Sequence, residues 1–203
     1  MKLTSKKLLA ILVISLCFVT TSQADDIKDY QIEGISVLDS LTKYIPRDKI
    51  EKRQNDYKNK GYIYKSRDFY SISFYKNDSR YKPFTSLNIF DELQFHLKNN
   101  DSSFIIHAVT GAIYISDMTQ CVEKLNTIER DFEENFFKKN RKFSKDDFSH
   151  ISKLGSIKRR VEYQFDKGWI NVTCETWKNE VRDGLVFDIR SNEFAEWVTY
   201  KAF

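Results

Sequence analysis

The spacing of apolar and polar residues changes several times along the 203-residue chain, and each change predicts an element. From Ile35 to Ile45 (ISVLDSLTKYI), Ile35, Leu38, Leu41 and Ile45 recur at helical spacing and Pro46 ends the run, which predicts a helix. A short, charged helix from Arg47 to about Tyr57 is predicted to follow. After Gly61 the period falls to two: Tyr62–Tyr64 and Phe69–Tyr75 (FYSISFY) carry the aromatic and β-branched residues of strands. Asp91–Lys98 (DELQFHLK) and Ser103–Ile115 flank Asn99-Asn100-Asp101-Ser102 and predict a β-hairpin. A tight turn there would set Leu97 opposite Phe104, Phe95 opposite Ile106 and Leu93 opposite Ala108 on a core face. Gly111, with Thr110 and Ala112 beside it, signals a bulge or a close approach.

Asp117, with Gln120 three residues on, opens the longest helix. Met118, Cys121, Val122, Leu125, Ile128 and Phe132 form its apolar stripe, to about Phe136. Lys138–His150 is charged and aperiodic and predicts a loop. Strands return at Arg160–Phe165, Trp169–Thr176 and Gly184–Ile189, and Ser191 caps a short terminal helix that faces Phe194, Trp197 and Val198 inward. With no βαβ alternation, this order predicts one α+β domain over 25–203. It has a largely antiparallel sheet, one long helix, and short N- and C-terminal helices.

The N-terminus changes the setting. Met1–Lys7 carries Lys2, Lys6 and Lys7 and no acid, Leu8–Val19 is apolar apart from Ser15, and Ser22-Gln23-Ala24 is a small-x-small cleavage signal. This predicts a signal peptide cleaved after Ala24 and a periplasmic or secreted mature chain. The apolar stretch is shorter than the roughly 20 residues a membrane span needs, so no transmembrane segment is expected in the mature chain. Lipid attachment at Cys17 is the alternative, but Leu16 is not the small residue such a signal carries before its cysteine. The whole chain has 33 basic and 29 acidic residues; without 1–24, which hold three lysines and no acid, the net charge falls from +4 to +1. A nucleic-acid partner thereby loses its electrostatic footing. Cys121 and Cys174 remain, in a compartment where disulfides persist; a bridge between them is the economical reading, with two buried free thiols as the alternative.

No nucleophile elbow, phosphate loop, H-E-x-x-H helix, C-x-x-C pair or EF-hand loop occurs, so no catalytic residue and no cofactor is assigned. His96 and His107 fall on the polar side of the predicted hairpin with Glu92 and Gln94 beside them, a candidate metal site against the alternative of a polar outer face. The runs Lys138–Lys142 and Lys158-Arg159-Arg160 could form a basic patch or a solvated loop and edge. Tyr62, Tyr64, Tyr70, Tyr75, Tyr81 and Trp177 could offer an aromatic surface to a partner or a sugar, or line core margins. Acidic clusters such as Asp131, Glu133 and Glu134 fit a solvated helix face.

Four segments, YQIEGISVLDSLTKYI (30–45), DELQFHLKNND (91–101), DMTQCVEK (117–124) and INVTCETW with SNEFAEWV (170–177, 191–198), resemble a family of short, exported bacterial proteins. Its members have a signal peptide and an "IEGIS…DSL" opening. Val37-Leu38 and the Lys43–Pro46 helix end depart from that pattern. The family has no assigned activity; the resemblance implies export and a single domain and transfers no catalytic residue. The function expected from the sequence is that of a small, exported, non-enzymatic binding or accessory module. Its partner would be an envelope protein or polymer. A motif-free secreted hydrolase and a metal or small-ligand binder are the alternatives.

Overall fold

The structure is a computed structural model and describes residues 27–59, 66–81, 87–138, 144–151, 155–177 and 183–202. A tight hairpin, β1 (Gln31–Ile32) and β2 (Ile35–Ser36), turns at Glu33 and Gly34, both at positive φ. Charged helix α1 (Arg47–Asn59) follows. The remaining strands join one sheet: β3 (Phe69–Tyr75), β4 (Glu92–Lys98), β5 (Ile106–Tyr114), β6 (Ser144–Ile151), β7 (Gly155–Phe165), β8 (Gly168–Trp177) and β9 (Gly184–Ser191). Their order is β3-β4-β5-β9-β8-β7-β6, and every neighbouring pair is antiparallel. Two meanders thus meet at a central seam between β5 and β9. The long helix α2 (Met118–Lys138) lies between β5 and β6 in the chain, and α3 (Asn192–Tyr200) closes it, capped by the Ser191 hydroxyl that accepts from the Phe194 N–H. The expected α+β class, with an antiparallel sheet, one long helix and shorter terminal helices, is what forms.

Alternation divides the sheet into two chemically distinct faces. On one, Ile72 and Phe74 of β3, Leu93, Phe95 and Leu97 of β4, Val109 of β5 and Leu185, Phe187 and Ile189 of β9 are buried. Val161 and Tyr163 of β7 and Ile170, Val172 and Cys174 of β8 continue that face. The α2 stripe of Cys121, Leu125, Ile128 and Phe132 belongs to the same cluster. Cys121 and Cys174 are disulfide-bonded, with Cα atoms 5.9 Å apart, tying the helix to β8. Burying one such Phe or Leu side chain contributes about 1.5–3 kcal/mol, so this face supplies most of the driving force. Gly111 marks a close approach: a Cβ there would lie 2.5 Å from Phe90 Cδ1.

Three expectations are corrected. Residues 35–45 do not form a helix. Ile35 and Ser36 are strand, Leu38 sits at φ 66°, and only Leu41–Lys43 makes a 3-10 turn. Ile35, Leu41 and Ile45 are buried and Leu38 half-buried where the segment docks at the start of β5, with Leu38 N–H donating to Ile106 O and Leu41 N–H to Phe104 O just before that strand. Tertiary contacts override the helical spacing. The hairpin register also differs. Phe95 pairs with Val109, His96 with Ala108 and Leu97 with Ile106, with an irregularity that leaves His107 between the last two. The connection is longer than a tight turn because the Asp101 carboxylate accepts from Ser103 and Ile105 N–H, with Asn100 and Phe104 at positive φ. Finally, 144–151 of the predicted 138–150 loop is edge strand β6, paired with β7. The signal peptide with its cleavage site and Cys17, the Tyr62–Tyr64 strand, and Lys139–Lys142 of the first basic run lie outside the described residues.

Candidate functional site

The second face of the sheet is polar across its width. Directly opposed residues form a row running Ser73, Gln94, Thr110, Asp188, Asn171 and Glu162, with Asp146 of β6 at the end of the register. A neighbouring row runs Ser71, His96, Ala108, Arg190, Trp169 and Gln164. Within these two rows each residue is polar except Ala108 and Trp169, whereas the other face of β3, β4, β7, β8 and β9 carries Leu, Ile, Val, Phe or Tyr.

Burial of these groups is offset by pairing them with one another. Gln94 Nε2 donates to Ser73 Oγ at 3.2 Å. Thr110 Oγ1 donates to Asp188 Oδ1 at 2.9 Å, and Asn171 Nδ2 to Asp188 Oδ2 at 3.0 Å. Arg190 pairs with Glu162 at 2.7 Å, with both side chains more than four-fifths buried. One row further, Tyr114 OH donates to Glu92 Oε2 at 2.7 Å, and Arg160 Nε to Thr173 Oγ1 at 3.0 Å. Burial, together with the nearby Arg190 charge, pulls Arg160 below its usual guanidinium range, burial being the larger cause.

Helix α3 covers the β3–β4–β5 end of this face. Phe194 and Trp197 pack on Phe69, Ala108 and Ala202, and the Trp197 indole N–H donates to Ser66 Oγ. His96 lies beneath, its ring centroid 4.5 Å from that of Phe194. It is buried, and burial pushes its imidazole pKa down to about 4; Asp188 opposes the shift and Arg190 adds to it. His96 Nδ1 and Asn171 Oδ1 are both buried without a hydrogen-bond partner. His107, edge-on to Phe69 at 5.1 Å, approaches Glu193 Oε2 at 3.4 Å and Ser191 Oγ at 3.5 Å; burial lowers its pKa as well. Outside these rings, a cleft of about 580 Å³ is bordered by Lys98, Asn99, Glu196 and the exposed Tyr200.

Both predicted histidines therefore reach the underside of α3, but through different aromatic neighbours. No group of three or more His, Cys, Asp or Glu among the described residues is placed to hold a metal ion. Lys158-Arg159-Arg160 does not form one patch: Arg159 pairs with Glu129 at 2.8 Å beside α2, whereas Arg160 contributes to the polar face. Of the tyrosines considered for an aromatic surface, Tyr70 and Tyr81 are buried, because Tyr70 belongs to the core side of β3 and Tyr81 stacks edge-on against Phe74. The polar row itself escaped the sequence reading. Its signal was the polar half of each alternating strand, and assembling it required the strand order. No helix among the described residues is long and apolar enough to cross a membrane. Comparison of the chain with protein-family models, curated proteins and solved structures returns no match.

Proposed function

We propose that the chain is an exported, non-enzymatic module that binds an envelope component through the polar face of its sheet. The observation that carries this reading is the cross-sheet row. Its charged groups are locked in pairs, Thr110 and Asn171 on Asp188 and Arg190 on Glu162, which suits a preorganised recognition surface better than proton transfer. Export rests on the N-terminal lysines, the apolar stretch and Ser22-Gln23-Ala24. The test is affinity capture from envelope extracts, with the wild-type chain and a Thr110→Arg variant as bait. Thr110 is central in the row and half-buried, so the arginine can reach solvent while obstructing the face. A component retained by the wild type and lost by an equally stable variant supports the proposal. Retention by both baits, or by neither, counts against it.

A further inference from the structure

Helix α3 packs on the β3–β5 end of the polar face through a small apolar cluster of its own, Phe194 and Trp197 with Phe69, Ala108 and Ala202, separate from the main core. His96 and His107 lie beneath it, both buried. We infer that α3 is an acid-released cover: protonation of these imidazoles undocks the helix and bares the sheet end under it while the strands stay paired. The device does not depend on what the polar face binds.

Geometry makes the helix the cover of His96. The cross-strand neighbours of that residue are Ser71 of β3 and Ala108 of β5, both too small to bury an imidazole. Yet His96 is only 6% exposed, and the ring packed on it is that of Phe194, 4.5 Å away between centroids. When α3 leaves, the imidazole meets water. His107 stands at the start of the same helix, 3.5 Å from the Oγ of the capping Ser191 and 3.4 Å from Glu193 Oε2 in the first turn.

A positive His96 is poorly accommodated while the helix is docked. Ser71, Ala108 and Phe194 carry no charge, and Nδ1 of the ring has no hydrogen-bond partner. From β9, Asp188 favours the positive ring but already accepts from Thr110 and Asn171. Arg190, whose Nε is itself buried without a hydrogen-bond partner, opposes it. His107 faces Lys98 of β4, Asp101 of the β4–β5 loop and Glu193 of α3. Its two acids offset part of the cost of a charge there, so His96 is the main trigger and His107 the smaller one.

The sign follows from linkage. Docked, His96 takes a proton only near pH 4; released, it does so near 6.5, so the open form gains protons first as pH falls. The ratio of open to docked helix is flat above 7 and rises about 50-fold between pH 7 and 4.5. Opening is local because the cluster under α3 stands apart from the main core. A helix of 9 residues is also shorter than the roughly 12–15 an isolated helix needs, so its amides exchange once it undocks.

The test follows amide hydrogen exchange of the purified, oxidised chain by mass spectrometry from pH 7 to 4.5, corrected for the intrinsic pH dependence of exchange. Residues 192–202 are compared with β8. Helix α3 is expected to exchange well ahead of β8 at every pH, with its opening ratio rising about 50-fold over the range. His96→Phe keeps a ring against Phe194, and His96→Gln is a second neutral variant should the first not fold. In either, the rise should shrink to the few-fold residue left by His107. Three results overturn the inference: α3 and β8 protected equally, so that the helix opens only with the whole sheet; an α3 opening that does not respond to pH; or a full response retained by the His96 variants.

Discussion

Phe187 and Asp188 are neighbours in β9 and project to opposite sides of the same sheet. Phe187 packs edge-on against Phe132 of α2, with ring centroids 6.2 Å apart, inside the apolar cluster. Asp188 accepts hydrogen bonds from β5 and β8. Area removed from water stabilises the first side, and its rings tolerate imperfect geometry. Reciprocal bonding holds the second, where each group depends on a partner, because a buried polar group left alone costs more than the bond contributed. The two sides should therefore respond differently to truncation, pH and salt.

The largest effect is expected on the apolar side. Phe132→Ala removes a buried ring that meets Tyr30, Tyr163 and Phe187, and should lower unfolding free energy by about 3–5 kcal/mol in urea. A loss near 1 kcal/mol would mean that α2 is loosely packed. Next is the proton dependence of His96. The unfolded imidazole binds a proton near pH 6.5 and the folded one only near 4, so the unfolded state takes up protons first as pH falls. Its contribution is intact above 6.5 and is lost toward pH 4, by about 3 kcal/mol across the window. Denaturation at several pH values should show His96→Phe flattening that slope. His107, shifted in the same direction, supplies a residual slope. Identical slopes in the variant and wild type would refute burial of a neutral His96.

A smaller loss, about 1–3 kcal/mol, is expected for Asp188→Ala, which strips Thr110 and Asn171 of their acceptor. Were the variant as stable as the wild type, the polar row would contribute nothing to the fold. Smallest is Glu193→Gln at the rim, where Lys98 and Glu193 pair with both side chains well exposed. A change below about 1 kcal/mol, vanishing in high salt, would separate rim from row.

Much of this architecture was legible locally. Alternation located β3, β4, β5, β7, β8 and β9, helical spacing located α2, and Ser191 marked the last cap. The Cys121–Cys174 pairing followed from economy, and Cys174 falls on the α2 side of β8 as its alternation with Ile170 and Val172 implied. What misled was local spacing that tertiary contacts could satisfy in another way. Ile35, Leu38 and Leu41 fit a helix, yet Ile35 and Leu41 are buried and Leu38 half-buried along β5 in extended and turn conformations. The hairpin register hung on backbone N–H groups of Ser103 and Ile105 donating to the Asp101 carboxylate inside its loop. Each strand showed which of its residues were polar, but not which strand lay beside it. Thr110 meets Asp188 only because β9 returns to the middle of the sheet.

That return has a consequence for how the chain folds. Tyr114 pairs with Gly184 across the seam, so joining the two meanders must close a long loop, and its entropic cost slows the step. The Cys121–Cys174 bond bypasses most of that loop, leaving only the short runs 115–120 and 175–183 between the bond and the paired residues. Oxidation before docking thus converts the sheet's most distant pairing into a nearly local one, and the reduced chain should refold more slowly even where it reaches the same sheet.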